Sequence, residues 1–169
     1  MQKTCLLLVL FSIYSTFCVA QSDEPFYEQI AFEFYCSEIL EKSEIDVRLK
    51  INGNLNRINY INDDCLKEKI INEKNFTIKP KTNFDTLFLE LKNINKKKFK
   101  IVKKININTN TNKENYLLVS RSLEVENRIF VIINEMVNVN GRGFTFEFDS
   151  AGNIIDWCQS SKSVFLIIH

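Results

Sequence analysis

Histidine is nearly missing from this chain, since the only one among 169 residues is His169 at the last position. A histidine that activates a serine or cysteine must lie within hydrogen-bond reach of that nucleophile. The C-terminal pattern predicts two paired strands around a serine-rich turn, which would hold His169 roughly 15 Å from Cys158 at about 3.4 Å per residue. The sequence therefore argues against Cys–His and Ser–His–Asp chemistry, and we predict no catalytic residue.

Glycine and proline are scarce as well, with four and two residues. No glycine-rich phosphate loop is present, and no segment has the spaced carboxylates and central glycine of a calcium loop. A zinc site needs three or four histidine or cysteine ligands at suitable spacing, which the chain does not supply. We therefore expect no metal and no other cofactor. A carboxylate pair for acid–base chemistry has no local signature, so that class of site stays open.

An excess of one charge is also missing, because 22 basic residues face 21 acidic ones. Such a balance argues against non-specific binding to nucleic acid or to an anionic membrane. Seven lysines do cluster between Lys92 and Lys104. Without arginine or interleaved aromatic residues, this run predicts an edge strand guarded by lysines rather than a nucleic-acid site. The acidic segment 23–46 is expected to neutralise these lysines within the fold.

The first twenty residues have the layout of a secretory signal peptide. One lysine precedes an apolar run, and Cys18 and Ala20 place small residues where a signal peptidase reads. The alternative is a membrane anchor, but hydroxyl residues interrupt a run that is already short of the roughly 20 residues of a spanning helix. We therefore predict a signal peptide at 1–20, a single domain at 21–169 with no membrane span, and a secreted or periplasmic location.

Three cysteines remain after the predicted cleavage: Cys36, Cys65 and Cys158. In an oxidising compartment an odd number permits one disulfide and one free thiol, or a bond between molecules. The sequence does not select the pair. Asn75 begins the triplet Asn-Phe-Thr, which would be glycosylated only in a eukaryotic host.

A helix is predicted near the start of the mature domain. Ser22 or Asp23 is suited to cap it, and Pro25 fits its first turn, where no amide donor is needed. Its surface is mostly apolar and rich in aromatic residues, which we interpret as core, with the lining of a ligand cavity as the alternative. The polar residues form one stripe at i, i+4 spacing: Gln29, Glu33, Ser37 and Glu41.

The middle of the chain predicts a hairpin followed by two short helices. Asn52-Gly53 between apolar alternations is typical of a tight hairpin turn. Residues 62–74 have a helical pattern that Asp63 or Asp64 can cap, and residues 83–94 repeat apolar side chains at helical spacing. From residue 115 onward, five apolar-rich runs separated by turn signals predict strands. The run from Arg128 is apolar on both faces, as in a central strand.

The stretch GFTFEFDSAGNIIDWCQSS, residues 143–161, holds aspartates, the only tryptophan and a cysteine, and it could be an active site or a hairpin. Alternation places Phe146 on one face of a strand together with Phe144 and Phe148. Asp149 to Gly152 has turn chemistry. We interpret the stretch as a structural hairpin in which Phe146 and Trp157 lie on packed sheet faces.

The C-terminal third, LLVSRSLEVENRIFVIINEM…GRGFTFEFDSAGNIIDWC, resembles the closing meander of small exported α+β proteins from AT-rich Gram-negative bacteria. That family has no assigned function, so the resemblance implies export and a fold but no activity. The order of helix first and curved sheet last is similar to the NTF2-like cone fold. The chain departs from that fold because the long early helix pair is missing. Neither resemblance carries over a catalytic residue.

The predicted fold is α+β, with an N-terminal helix and short middle helices packed on an antiparallel sheet whose last strands form a C-terminal meander. The predicted function is an exported, non-enzymatic protein that binds a protein or a small ligand. One alternative is an NTF2-like ligand carrier or enzyme with a carboxylate in an apolar cup. The other is an extracytoplasmic inhibitor or immunity-type protein.

Overall fold

The structure is a computed structural model with a mixed α+β fold dominated by its sheet. The predicted signal peptide, Asn75 and His169 lie outside the residues that it describes. Those are residues 24–43, 46–56, 63–70, 79–80, 88–105, 114–138 and 140–163.

Helix α1 spans Tyr27–Phe34 and continues into a π-helical turn, Tyr35–Leu40. Phe26 precedes the helix and makes no side-chain cap, while the predicted caps lie outside the described residues. Helix α2 spans Asp64–Ile70. Its N-terminus is capped as the sequence suggested, because the carboxylate of Asp63 accepts a hydrogen bond from the amide of Leu66 at 2.8 Å.

The described strands form one mixed sheet with β7 in its middle. Strand β7 pairs antiparallel with β5 and β6 on one side and with β8 on the other, and β8 pairs antiparallel with β9. The opposite edge is parallel, because β1 runs parallel to both β5 and β4. The prediction of an antiparallel sheet is therefore wrong for this edge. The strands are β1 Leu49–Ile51, β2 Leu55–Asn56, β3 Lys79–Pro80, β4 Phe99–Ile101, β5 Tyr116–Ser120, β6 Leu123–Val125, β7 Arg128–Val137, β8 Asn140–Phe148 and β9 Ile154–Ser163.

The predicted hairpin at Asn52-Gly53 is wrong. Strands β1 and β2 both run parallel to β5, so the chain passes this point without reversing. Gly53 does adopt a positive φ of 75°, the left-handed conformation that glycine tolerates. The residue therefore makes a local irregularity between two short strands instead of a turn.

The helix predicted at 83–94 is not formed in the part that the structure describes. Phe88 makes an isolated antiparallel bridge with Asn54, and the amide of Leu89 donates to the carbonyl of Gly53 at 2.9 Å. The predicted turn after Cys158 is wrong too, because β9 continues through Ser160 to Ser163 alongside β8. Both segments find strand partners that local periodicity does not reveal.

Helix α1 packs on one face of the sheet through aromatic pairs. Three rings of α1 and its π-helical turn lie over alternate phenylalanines of β8 at centroid distances of 5.3–5.8 Å: Tyr27 over Phe148, Phe34 over Phe146 and Tyr35 over Phe144. Strand β7 is buried on both faces from Ile129 to Ile133, as expected for a central strand. Aromatic pairs of this kind add about 0.5–1.5 kcal/mol each beyond the area they bury.

Helix α2 packs on the other face of the sheet. Its Leu66 and Ile70 join a second apolar cluster with residues of β6 and β7. This packing buries Thr145 and Glu147 of β8, whose hydroxyl and carboxylate find partners from the helix side. Both faces of β8 are therefore covered. No helix among the described residues has the length and apolar character needed to cross a membrane.

Candidate ligand-binding cleft

The fold shows which of the cysteines pair, a choice that the sequence left open. Cys65 of α2 and Cys158 of β9 form a disulfide, with their Cα atoms 6.1 Å apart. Cys36, on the π-helical turn, is a free thiol. The bridge fastens α2 to the last described strand of the sheet.

The hairpin reading of residues 143–161 agrees with the geometry at its turn. The carboxylate of Asp149 accepts hydrogen bonds from the amides of Ala151 and Asn153 and from the Asn153 side chain, at 2.8–2.9 Å. These bonds, first that of the Asn153 side chain, lower the pKa of Asp149 below its ordinary value. Gly152 completes the turn at a φ of 89°.

The expectation that Phe146 and Trp157 both lie on packed faces is met only by Phe146, which is fully buried. Trp157 lies opposite Phe146 on the α1 face, with ring centroids 6.4 Å apart and an interplanar angle of 25°. It nevertheless remains 41% exposed, although Phe34 of α1 also lies beside it at a centroid distance of 6.4 Å. Trp157 is therefore only partly packed.

A buried polar group on the α1 face joins Tyr35, Glu135 and Arg142. The tyrosine hydroxyl donates to Glu135 at 2.5 Å, and the arginine donates to both carboxylate oxygens at 3.0 and 2.9 Å. Burial, followed by the negative charge of Glu135, raises the pKa of Tyr35 well above its ordinary value. Both oxygens of this carboxylate are therefore engaged by side chains of the fold.

A second charged cluster fastens α2 to the sheet. The ammonium group of Lys69 donates to Glu147 at 2.9 Å and to Asp156, and Arg128 donates to Glu147 at 3.3 Å and to the carbonyl of Lys69 at 2.7 Å. Burial alone would lower the pKa of Lys69, but hydrogen bonds to Asp156 and then to Glu147 outweigh it and raise that pKa. Among the described residues, no group of three or more His, Cys, Asp or Glu side chains could hold a metal ion.

A cleft of about 360 Å³ opens between the helical segment 29–41 and the irregular segment 90–95. We call it the α1 cleft. Its floor is apolar and is formed by Phe32, Leu40, Ile94 and Phe99. Its rim is polar and contains Gln29, Glu33, Ser37, Glu41, Glu90, Lys92, Asn93 and Asn95, with the Cys36 thiol between floor and rim.

The polar stripe predicted from i, i+4 spacing supplies one wall of the α1 cleft. The stripe runs from α1 into the π-helical turn, a rare geometry that is found frequently at functional sites. In this turn Tyr35 is buried, whereas Cys36 and Ser37 line the cleft. The opposite wall comes from the segment wrongly predicted as a helix, so its role was not visible in the sequence.

Side-chain hydrogen bonds fasten the two walls at both ends of the cleft. At one end, Gln29 accepts from the amide of Glu90 at 2.8 Å and donates to Glu33 at 2.8 Å. At the other end, the Asn95 amide group donates to Glu41 at 3.2 Å. The two walls are therefore joined by the protein's own contacts.

The α1 cleft has a negative rim and a protonated thiol. Glu33, Glu41 and Glu90 are exposed on the rim, which has one lysine, Lys92. Burial, followed by the charges of Glu33 and Glu41, raises the pKa of Cys36 to about 12. The thiol is protonated at neutral pH and is not an activated nucleophile.

Comparisons with models of known protein families, with curated proteins and with solved structures give no match for this chain. The resemblances drawn from the C-terminal third and from the order of elements therefore stay predictions. What the protein does must be argued from the α1 cleft itself.

Proposed function

We propose that this is an exported, non-enzymatic binding protein that holds a small ligand in the α1 cleft. The observation that carries the proposal is the cleft's size and lining. Its volume of about 360 Å³ falls within the roughly 300–1,000 Å³ that is typical of ligand sites. An apolar floor with polar groups around it is also the usual composition of such sites.

The fastening of the walls supports binding in a second way. Because Gln29 and Asn95 already join the two walls, a ligand need not order them when it enters. Association costs less when the site is preorganised.

The protonation of the thiol and the exposure of the carboxylates favour binding over catalysis. The Cys36 thiol is protonated, and the three carboxylates of the rim are exposed, which suits recognition of charge better than proton transfer. The buried carboxylate Glu135 is held by Tyr35 and Arg142. The alternative of an NTF2-like carrier or enzyme would need a carboxylate enclosed by the apolar floor.

A protein partner is the second candidate, and it rests on a different observation. Ile155 and Trp157 of β9 are 58% and 41% exposed, although both are large and apolar. Exposed apolar groups of this kind, when they are contiguous, mark contact surfaces for other proteins. An inhibitor or immunity-type protein would use such a surface.

The cleft is tested with N-phenyl-1-naphthylamine, a neutral dye that fluoresces in apolar surroundings. Ser37→Trp would fill the cleft, whereas Glu38→Trp places the same side chain on the neighbouring exposed position outside it. We expect the wild type and Glu38→Trp to bind the dye equally. Ser37→Trp should bind at least about tenfold more weakly at an unchanged melting temperature, a loss of about 1.4 kcal/mol. Equal binding by all three proteins, or binding by none, would overturn the proposal.

A further inference from the structure

We propose that the α1 cleft selects organic cations, in which an ammonium or guanidinium group is attached to an apolar body. This inference rests on the proposed function, because it names the class of ligand for the same cleft. It is carried by the arrangement of charge and apolar surface around the cavity.

The rim has three carboxylates, Glu33, Glu41 and Glu90, and one ammonium group, Lys92. Hydrogen bonds orient two of these carboxylates, and the donors are the neutral amide groups of Gln29 and Asn95. Neutral donors fix the position of a carboxylate without cancelling its charge. A cation in the cleft is therefore attracted by the rim, while an anion is repelled.

The charge of the rim acts on the Cys36 thiol, which lies between floor and rim. After burial, the charges of Glu33 and Glu41 are the causes that raise the pKa of the Cys36 thiol. A field that disfavours the negative thiolate favours a positive group in the same place. The pKa of the thiol therefore expresses the charge of the same two rim carboxylates at the position of Cys36.

The size of the cleft explains why a small inorganic cation is not the expected ligand. Phe32 and Phe99 form a tilted pair with centroids 5.9 Å apart and belong to the lining with Leu40, but each of the three is only 2% exposed. Ile94 is the half-buried apolar side chain of the floor. A bare ion would fill only a small part of a cleft of about 360 Å³, whereas an apolar body attached to the cation would fill the rest and lie against Ile94.

Cys36 allows the charge preference to be measured directly. Two methanethiosulfonate reagents of similar size differ in charge, one ending in trimethylammonium and the other in sulfonate. The thiolate attacks the sulfenyl sulfur of either reagent, a mixed disulfide forms, and methanesulfinate leaves. The ratio of the two rates reports the potential at the thiol, and Cys36→Ser supplies the background from other sites.

We expect the ratio of cationic to anionic rates to fall roughly tenfold in Glu33→Gln/Glu41→Gln relative to the wild type. Comparison with the wild type cancels the difference in intrinsic reactivity between the reagents. The matched control is Glu38→Gln, which removes an exposed carboxylate that pairs with Lys42 outside the cleft. It should leave the ratio within about twofold, because its charge lies outside the cleft and is already paired with Lys42. An unchanged ratio in the double variant would overturn the inference.

A measurement on the unmodified protein keeps the inference testable if the double variant does not fold. The neutral dye is displaced with phenylpropyl-trimethylammonium or with phenylbutyrate, which have similar apolar bodies. We expect the cation to displace the dye at a concentration at least about tenfold lower, or 1.4 kcal/mol. Dye binding with equal displacement by both ions would refute the charge preference and leave the cleft as a binding site. Failure of the dye to bind would refute the proposed function instead.

Discussion

Removing the disulfide between Cys65 and Cys158 should lower the free energy of unfolding by several kcal/mol. The bond joins residues 93 positions apart. A loop of that length gives about 4.6 kcal/mol at 25 °C from the chain-entropy relation, while typical measured effects are about 2–4 kcal/mol. Most of the change lies in the unfolded chain. The folded state should persist, because Leu66, Ile70 and the Lys69 ion pairs still hold α2 on the sheet.

The assays are thermal melting and urea unfolding of Cys65→Ala/Cys158→Ala, with Cys36→Ala as the control that removes a thiol but no cross-link. At about 2–4 °C per kcal/mol, a loss of about 2–4 kcal/mol lowers the melting temperature by roughly 4–16 °C. The dependence of the unfolding free energy on urea should also become steeper, since an unlinked chain exposes more surface. Equal midpoints and equal slopes for the double variant and the wild type would refute the reasoning.

Three further predictions concern the hairpin of β8 and β9. Phe146→Ala should cost about 3–5 kcal/mol of unfolding free energy and Trp157→Ala only about 1–2 kcal/mol, because the first ring is fully buried and the second is 41% exposed. Equal losses in urea titrations would contradict this. Gly152→Ala should cost about 1–3 kcal/mol, because alanine would have to adopt a positive φ and its Cβ would lie 2.6 Å from a carbon of Pro25. A melting temperature equal to that of the wild type would disprove this prediction. Because the pKa of Asp149 is lowered in the folded protein, the stability that its carboxylate contributes is present above its pKa in the unfolded chain, about 3.9. That stability is lost as the pH falls through the folded pKa. Asn153→Ala should therefore raise that pKa in an NMR titration, and an unchanged titration curve would count against it.

The hairpin of β8 and β9 was predictable because its signals are local. Alternation placed Phe144, Phe146 and Phe148 on one face, and those residues are buried there. The Asp149–Gly152 turn uses a side-chain acceptor and a positive φ, which few residue types supply. The burial of the opposite face of β8 could not be predicted, because it depends on α2, a helix whose docking position has no signal within the strand.

The points at which the chain reverses its direction were harder to predict than the residues that permit a reversal. Gly53 has the left-handed conformation that the sequence suggested, yet β1 and β2 follow one another along β5. A glycine permits a hairpin turn, but a parallel partner strand from residues 116–120 decides the direction of the chain. The same holds at Ser160, where pairing with β8 continues through a segment of turn-like composition.

The α1 cleft shows the limit of local signals most clearly. Its helical wall was visible as a polar stripe on an otherwise apolar helix, and such a stripe alone would be read as a solvated face. Its second wall repeats apolar residues at helical spacing but is extended at Phe88, which is 58% exposed while Leu89 is buried. The cleft exists because Gln29 meets Glu90 and Glu41 meets Asn95, contacts across 61 and 54 residues. Periodicity within a window of a dozen residues carries no information about such contacts. The acidic stripe and the apolar floor become one cleft only when the fold brings them together, and our proposal of an organic cation rests on their combination.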